Sequence, residues 1–438
     1  MTEKYTTLID LYLETYGGSE PPESFQRWCF MTGLGSMLGR RTYFQHGAFN
    51  LYPNLYAMMV GVPGTRKSTA IKQLKSLMRE AGYSNFAADK TTKEKFLVDL
   101  DGSHDEQEQQ AKETGEKVNI CLDNLFTDKY DPEAPKEIFI CADEFYDFMG
   151  QQNIDFISLL GNLWDYTGTF EYKIRHGKKV SIPDPTVSIL GGCTFETFSM
   201  VFPAAVMGQG FLSRLLMVFA EPTGRKITWP TPPDGGKVGM LAKALSIPFN
   251  LLKPDSLQLV PSTAALSLLD ELYQGWTDLA DPRLKHYSNR RFSHLLKLVQ
   301  VCFLSRVLLH YPDKVVPGEQ LAVEPCDVIA ANTYLSAIEH NMPKALGEFG
   351  RSKNSLIQQT ILEYLRDQRG PVDIKDIWKV VSRDLDEQRM LVPILAGLQT
   401  AELIYPVAGQ GWYAVTKRRA LEAHVDVELL SESERKQL

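Results

Sequence analysis

The stretch GVPGTRKSTA, residues 61–70, is one residue away from a phosphate-binding loop. In the pattern G-x-x-x-x-G-K-[ST], Gly61, Lys67 and Ser68 fall in register, and Arg66 stands where the second glycine belongs. Such a loop holds phosphates with backbone amides and with the N-terminus of the helix that follows. The residues expected to form the cradle are Gly61, Pro63, Gly64, Thr65, Arg66, Lys67, Ser68 and Thr69, with Lys67 as a point charge and the Ser68 hydroxyl as a Mg²⁺ ligand. Arginine at position 66 must accept an ordinary helical φ or bear a strain of about 1–3 kcal/mol. Its charge beside a polyphosphate would offset part of that cost.

The flanks suit the loop. YPNLYAMMVG (52–61) reads as a strand running into it, and KSTAIKQLKSLMREAG (67–82) as a helix with a glycine stop. A nucleotide hydrolase also needs a carboxylate for Mg²⁺ and a base for water at the end of a neighbouring buried strand. IFICADE (138–144) ends in that pair: Asp143 is expected to hold Mg²⁺ and Glu144 to polarise water. A decayed site would be expected to lose some of Lys67, Ser68, Asp143 and Glu144, and all four are present. The expected ligand is therefore ATP with Mg²⁺.

Composition bounds the alternatives. With 438 residues, 44% hydrophobic and 23% charged, the chain has the make-up of a globular protein of two or three domains. Its longest apolar runs are strand-sized, and its polar, acidic N-terminus has no leader pattern, so no membrane association is expected. Six scattered cysteines without C-x-x-C point to a reducing cytoplasm and away from a zinc site. The net charge of −7 means that any nucleic-acid contact must come from a local basic feature.

Strands alternating with helices over 50–220 predict a parallel α/β core. Helices are expected over 4–16 and 22–39, a polar exposed insertion over 101–117, and a mainly helical region after 235. The predicted partition is an N-terminal helical collar for oligomerisation (1–50), the core (51–230) with a basic hairpin at 170–183, a helical lid (231–350), a winged helix (351–420) and a tail (421–438). The last domain is read from three short helices and a terminal hairpin with a Gly-Gln-Gly tip. Its presumed recognition helix, DEQRMLVPILAGLQTAEL, is apolar and suits protein contact or core packing better than groove reading, while Lys417, Arg418 and Arg419 offer phosphate contacts.

Three further features bear on a motor. Thr194 ends a buried strand, which resembles the place where AAA+ ATPases keep a polar sensor of the attacking water or γ-phosphate. The same resemblance implies that Arg214, just before the last core strand, acts on a neighbouring subunit's nucleotide and makes Arg290 or Arg291 a candidate second sensor. The hairpin FEYKIRHGKKVSIPD carries Lys173, Arg175, His176, Lys178 and Lys179, a set suited to a phosphate backbone.

The order of loop, Asp-Glu strand, basic hairpin, strand-end threonine and Ser-Arg resembles the AAA+ clade with a pre-sensor hairpin, which includes superfamily 3 and MCM helicases. More closely, YPNLYAMMVGVPGTRKST, ADEF, IPDPTVSILGGCT and GFLSRLLMVF resemble a family of phage and prophage primase–helicase-like proteins, which also reads G-x-R-K-S. The resemblance covers roughly residues 20–350. It implies an AAA+ P-loop ATPase core, a homo-hexameric ring and hairpins that track single-stranded DNA during ATP hydrolysis. The role implied is a replicative DNA helicase of a phage or mobile element, acting in the host cytoplasm with other replication proteins. The alternatives are an ATP-dependent initiator or helicase loader, and a nucleotide-switched scaffold without DNA activity.

Overall fold

Among the described residues, ten strands build the first compact unit, residues 1–349. In chain order they are β1 (Thr42–His46), β2 (Phe49–Leu51), β3 (Tyr56–Val60), β4 (Glu137–Ala142), β5 (Thr169–Lys173), β6 (Lys179–Pro183), β7 (Thr186–Cys193), β8 (Leu216–Phe219), β9 (Leu257–Pro261) and β10 (Gln320–Val323). The computed structural model describes residues 6–101, 136–173, 179–202, 210–251, 256–347, 353–368, 370–382, 385, 387–407 and 412–414. Most of the polar insertion, hairpin residues Arg175, His176 and Lys178, the Gly-Gln-Gly tip, Lys417, Arg418, Arg419 and the tail lie outside the described residues.

The central sheet is parallel, in the order β4-β7-β3-β8. A parallel bridge from Phe86 to Phe139 adds a fifth position beyond β4. Every residue of β3 and β7 is buried, as expected of strands covered on both faces. The helix Lys67–Glu80 turns Ala70, Ile71, Leu74, Leu77 and Met78 inward at helical spacing. A mixed α/β fold with a parallel sheet is thus what the alternation predicted.

The region after 235 is not wholly helical. β9 and β10 lie parallel to each other, β9 also pairs in parallel with β1, and β1 pairs antiparallel with β2, giving the order β10-β9-β1-β2. Residues 6–50 are consequently built into the same unit: the helices Leu8–Tyr16 and Glu23–Leu38 share one hydrophobic core with the sheet and with Arg291–His310. That last helix has 20 residues and a mean hydropathy of 1.5, enough by length and composition to cross a membrane. It is a core helix, with 78% of its apolar window buried inside the unit.

The second unit, 350–438, has its own core of Ile357, Ile361, Leu365, Ile377, Leu391, Leu395 and Ile404. It comprises the helices Lys353–Asp367, Ile374–Val381 and Leu391–Thr400 and the strands β11 (Val372–Asp373), β12 (Tyr405–Val407) and β13 (Trp412–Ala414), antiparallel in the order β11-β13-β12. The exposed side of Leu391–Thr400 includes Val392, Pro393 and Ala396 and no cation.

Candidate functional site

The loop after β3 opens at the carboxyl end of the central sheet. Gly61 is wedged between the ends of β7 and β8: its amide donates to the Cys193 carbonyl at 3.3 Å, and a Cβ there would lie 2.9 Å from the Ala220 carbonyl oxygen. The Thr65 amide and hydroxyl both donate to the Val62 carbonyl, at 3.3 and 2.5 Å, closing a turn in which Gly64 takes φ +84°. Val62, Pro63 and Gly64 form an exposed rim.

Lys67 opens the helix behind that rim and is 6% exposed. Its ammonium donates to the Gly61 and Val62 carbonyls, at 2.8 and 3.2 Å. Burial pushes the amine below its ordinary pKa, while the carboxylates of Glu144 and Glu196 act in the opposite sense. Ser68 is half-buried, and its hydroxyl has no hydrogen bond among the described residues; Thr69 is exposed.

Asp143 and Glu144 follow β4, beside this helix start. Gly192 is what lets the parts meet: a Cβ on it would fall 2.5 Å from the Asp143 carbonyl oxygen and 3.6 Å from the Lys67 Cβ. Gly191 is similarly confined by Met58 and Phe145. The Asp143 carboxylate is 39% exposed, with Lys72 at 3.5 Å. Partial burial raises the Glu144 pKa, Lys67 lowers it, and Asp143 and Asp147 add to the rise. Ser68 and Asp143 suit Mg²⁺, which takes few protein oxygens and keeps phosphate or water for the rest. Among the described residues no cluster of three His, Cys, Asp or Glu side chains could hold a metal by itself.

Arg66 takes the strained alternative. It caps the helix at φ 64° and ψ 27°, the left-handed region that favours glycine. Its charge was expected beside the phosphates; in this structure its Nε lies 2.5 Å from the Glu20 carboxylate. Glu20 also accepts the Ile227 amide at 2.8 Å, the main cause of its lowered pKa, with Arg66 adding to it.

Thr194 also has a local partner. Its oxygen accepts the Thr197 amide at 3.2 Å, and the Thr197 hydroxyl accepts the Thr194 amide at 2.8 Å, a capping box for the helix Phe195–Val201.

Arg214 lies apart from the loop, in a cationic cluster around Trp164. It donates to the Gly210 carbonyl at 2.6 Å, and the Trp164 ring lies 5.9 Å from Arg214, 5.7 Å from Arg290 and 4.6 Å from Lys297. The buried Lys297 is fully engaged by Asp165, Asn54 and the Tyr52 carbonyl. Burial and Arg290 lower the Arg214 pKa, and its buried Nε has no hydrogen bond among the described residues. The two sensor candidates separate here. Arg291 is a core residue, 2.8 Å from Glu339 and 3.8 Å above the Trp276 ring, whereas Arg290 is half-buried beside Arg214.

The basic hairpin is an antiparallel pair in which Lys173 is the register partner of Lys179, and Lys173 is exposed. Val180 and Ile182 anchor β6 in the core. Sequence reasoning missed Glu20, Gly191 and Gly192. The GG pair was visible as an interruption of a buried strand, whereas Glu20 in its polar turn carried no signal.

No protein-family model matches the chain, and no curated protein matches it.

Proposed function

We propose that the chain is a Mg²⁺-dependent ATPase of the AAA+ class that moves along single-stranded DNA as a hexameric ring, as a replicative helicase of a phage or mobile element would. The observation that carries this reading is the parallel order β4-β7-β3-β8, with the Lys67 loop on β3, Asp143 and Glu144 at the end of β4, and Gly192 of β7 in contact with both. Counted with the Phe86 bridge, that order supports a P-loop core. The second unit, three helices with a small antiparallel sheet, supports a winged helix, and its cation-free helix face favours a protein contact for it.

In this reading the loop amides and Lys67 bind the β- and γ-phosphates. Ser68 and Asp143 would hold Mg²⁺, which when bound neutralises phosphate charge. Glu144 orients water and takes its proton, a role that its raised pKa suits. Arg214, with Arg290 beside it, is available to a second copy's nucleotide. The hairpin pairs Lys173 with Lys179 in register, and its basic sequence suits a DNA backbone.

The test is ATP turnover at fixed low salt with and without single-stranded DNA, beside Glu144→Gln. Stimulated turnover that disappears in the variant supports the motor; bound ATP with no turnover in the native chain rejects it. One observation favours a nucleotide-switched scaffold as the second reading: the Thr194 hydroxyl, the expected water sensor, is already engaged in a helix cap.

A further inference from the structure

Three cations around the loop have unequal partners. Lys67 donates to two neutral carbonyls of the loop itself, and the exposed Lys72 lies 3.5 Å from Asp143. Arg66 is matched more closely, with its Nε 2.5 Å from the Glu20 carboxylate.

Two features set this pair apart from a loose surface contact. Arg66 caps the helix Lys67–Glu80 in left-handed backbone that glycine would adopt freely, so a cation stands there in spite of strain. Its partner, in turn, is fixed. The other Glu20 oxygen accepts the Ile227 amide at 2.8 Å, and the Glu20 backbone carbonyl accepts the Thr223 hydroxyl at 3.0 Å. Arg225 donates to the Gly17 carbonyl of the same turn at 2.7 Å, and Gln73 to the Ser19 hydroxyl at 3.2 Å. The Ile227 amide, chiefly, and Arg66 hold the Glu20 carboxyl below the usual carboxylate range, so it is ionised at neutral pH.

A helix N-terminus draws anions, and an arginine binds carboxylate and phosphate through the same charge-assisted donors. The Glu20 carboxylate is tied to its own turn and cannot travel with the guanidinium. A phosphate in the loop and the carboxylate beside it therefore compete for one side chain.

On the reading that the loop binds nucleotide phosphates, we propose that Glu20 is a built-in competitor for Arg66: a bound triphosphate draws the guanidinium off the carboxylate, and its departure returns the side chain to Glu20. The contact thereby weakens triphosphate binding and favours release. The Arg66 side chain is 53% exposed, which leaves it room to exchange one anion for the other.

The experiment is calorimetric titration of the full chain with Mg²⁺ and, separately, inorganic tripolyphosphate and ATP, in the native chain, Glu20→Gln, Arg66→Gly and the double variant. Glutamine keeps an acceptor for the Ile227 amide, and glycine relieves the strain at position 66, so both changes suit the fold. Glu20→Gln should tighten both ligands by about 3–5-fold, the range within which an exposed ion pair competes. In the Arg66→Gly background the same change should alter affinity by less than about 2-fold. Loss of binding in Arg66→Gly, beside the gain from Glu20→Gln, would equally support the competition. Unchanged or weaker binding in Glu20→Gln would overturn it and leave the nucleotide reading intact. An equal gain with and without Arg66→Gly would mean that Glu20 repels the ligand directly, and would overturn it as well. No binding of either ligand by any of the four chains would overturn both the competition and the nucleotide reading.

Discussion

The Arg66 guanidinium lies 2.5 Å from the Glu20 carboxylate, and the same carboxylate accepts the amide of Ile227. One acid thus joins the N-terminal turn, the phosphate-type loop and the segment after β8. Arg66 is also strained, which gives a way to separate backbone from side chain. A non-glycine residue in the left-handed region costs about 1–2 kcal/mol, and an exposed ion pair contributes about 0–1 kcal/mol. Arg66→Ala keeps the strain and loses the pair, whereas Arg66→Gly loses both. In urea denaturation Arg66→Gly should therefore be more stable than Arg66→Ala by about 1 kcal/mol. Equal stabilities would mean that the backbone there carries no cost.

Gly192→Ala should damage the site more than the fold. The added methyl would meet the Asp143 carbonyl at 2.5 Å, so that β4's end must shift relative to Lys67. Overpacking of this kind costs about 1–3 kcal/mol. Melting should move down modestly while ATP affinity falls at least about 10-fold, since one tenth of the binding constant corresponds to about 1.4 kcal/mol. Unchanged affinity would remove Gly192 from the site.

The two neighbouring arginines should behave oppositely. Arg291 and Glu339 form a buried pair, 5% and 4% exposed, and removing one partner of such a pair costs about 3–5 kcal/mol. Arg291→Ala should unfold at markedly lower urea. Arg290→Ala removes a like charge from beside Arg214 and should leave the midpoint within about 0.5 kcal/mol of native. A loss of ATP turnover in Arg290→Ala would then reflect function and not stability.

His294 should make the first unit acid-sensitive. It is fully buried, its Nε2 faces the Ser213 carbonyl at 2.9 Å, and burial lowers its pKa to about 4. The unfolded chain takes up the proton near pH 6.5, before the folded chain does. The stabilisation linked to neutral His294 is therefore complete above about pH 6.5 and is lost as pH falls toward 4, by up to roughly 3 kcal/mol. Urea midpoints measured across that window should fall more steeply in the native chain than in His294→Gln.

Much of the central unit was legible because its signals are local. The buried runs of β3, β4 and β7, the loop motif and the hairpin each declare themselves within about a dozen residues. Strands β9 and β10 did not, because β9's neighbour β1 is remote: Thr42 pairs with Leu257, and neither segment carries a mark of the other. Thr194 shows a different limit. A strand-end threonine fits a sensor and a helix cap equally well, and only the Thr197 hydroxyl across from it identified the cap. The strain at Arg66 was foreseeable from the missing glycine; its partner Glu20 was not.

The pairing of β1 with β9 governs how the chain can be made. On a ribosome, Thr42–His46 emerges long before Leu257–Pro261, and the Ile9 amide waits for the Ser305 hydroxyl, to which it donates at 3.1 Å. β3 likewise has neither of its flanking strands until β7 and β8 have been synthesised. The first unit is therefore a high-contact-order fold that cannot close until its last core helices have been translated, and its apolar β3 and Glu23–Leu38 segments stay available to chaperones until then.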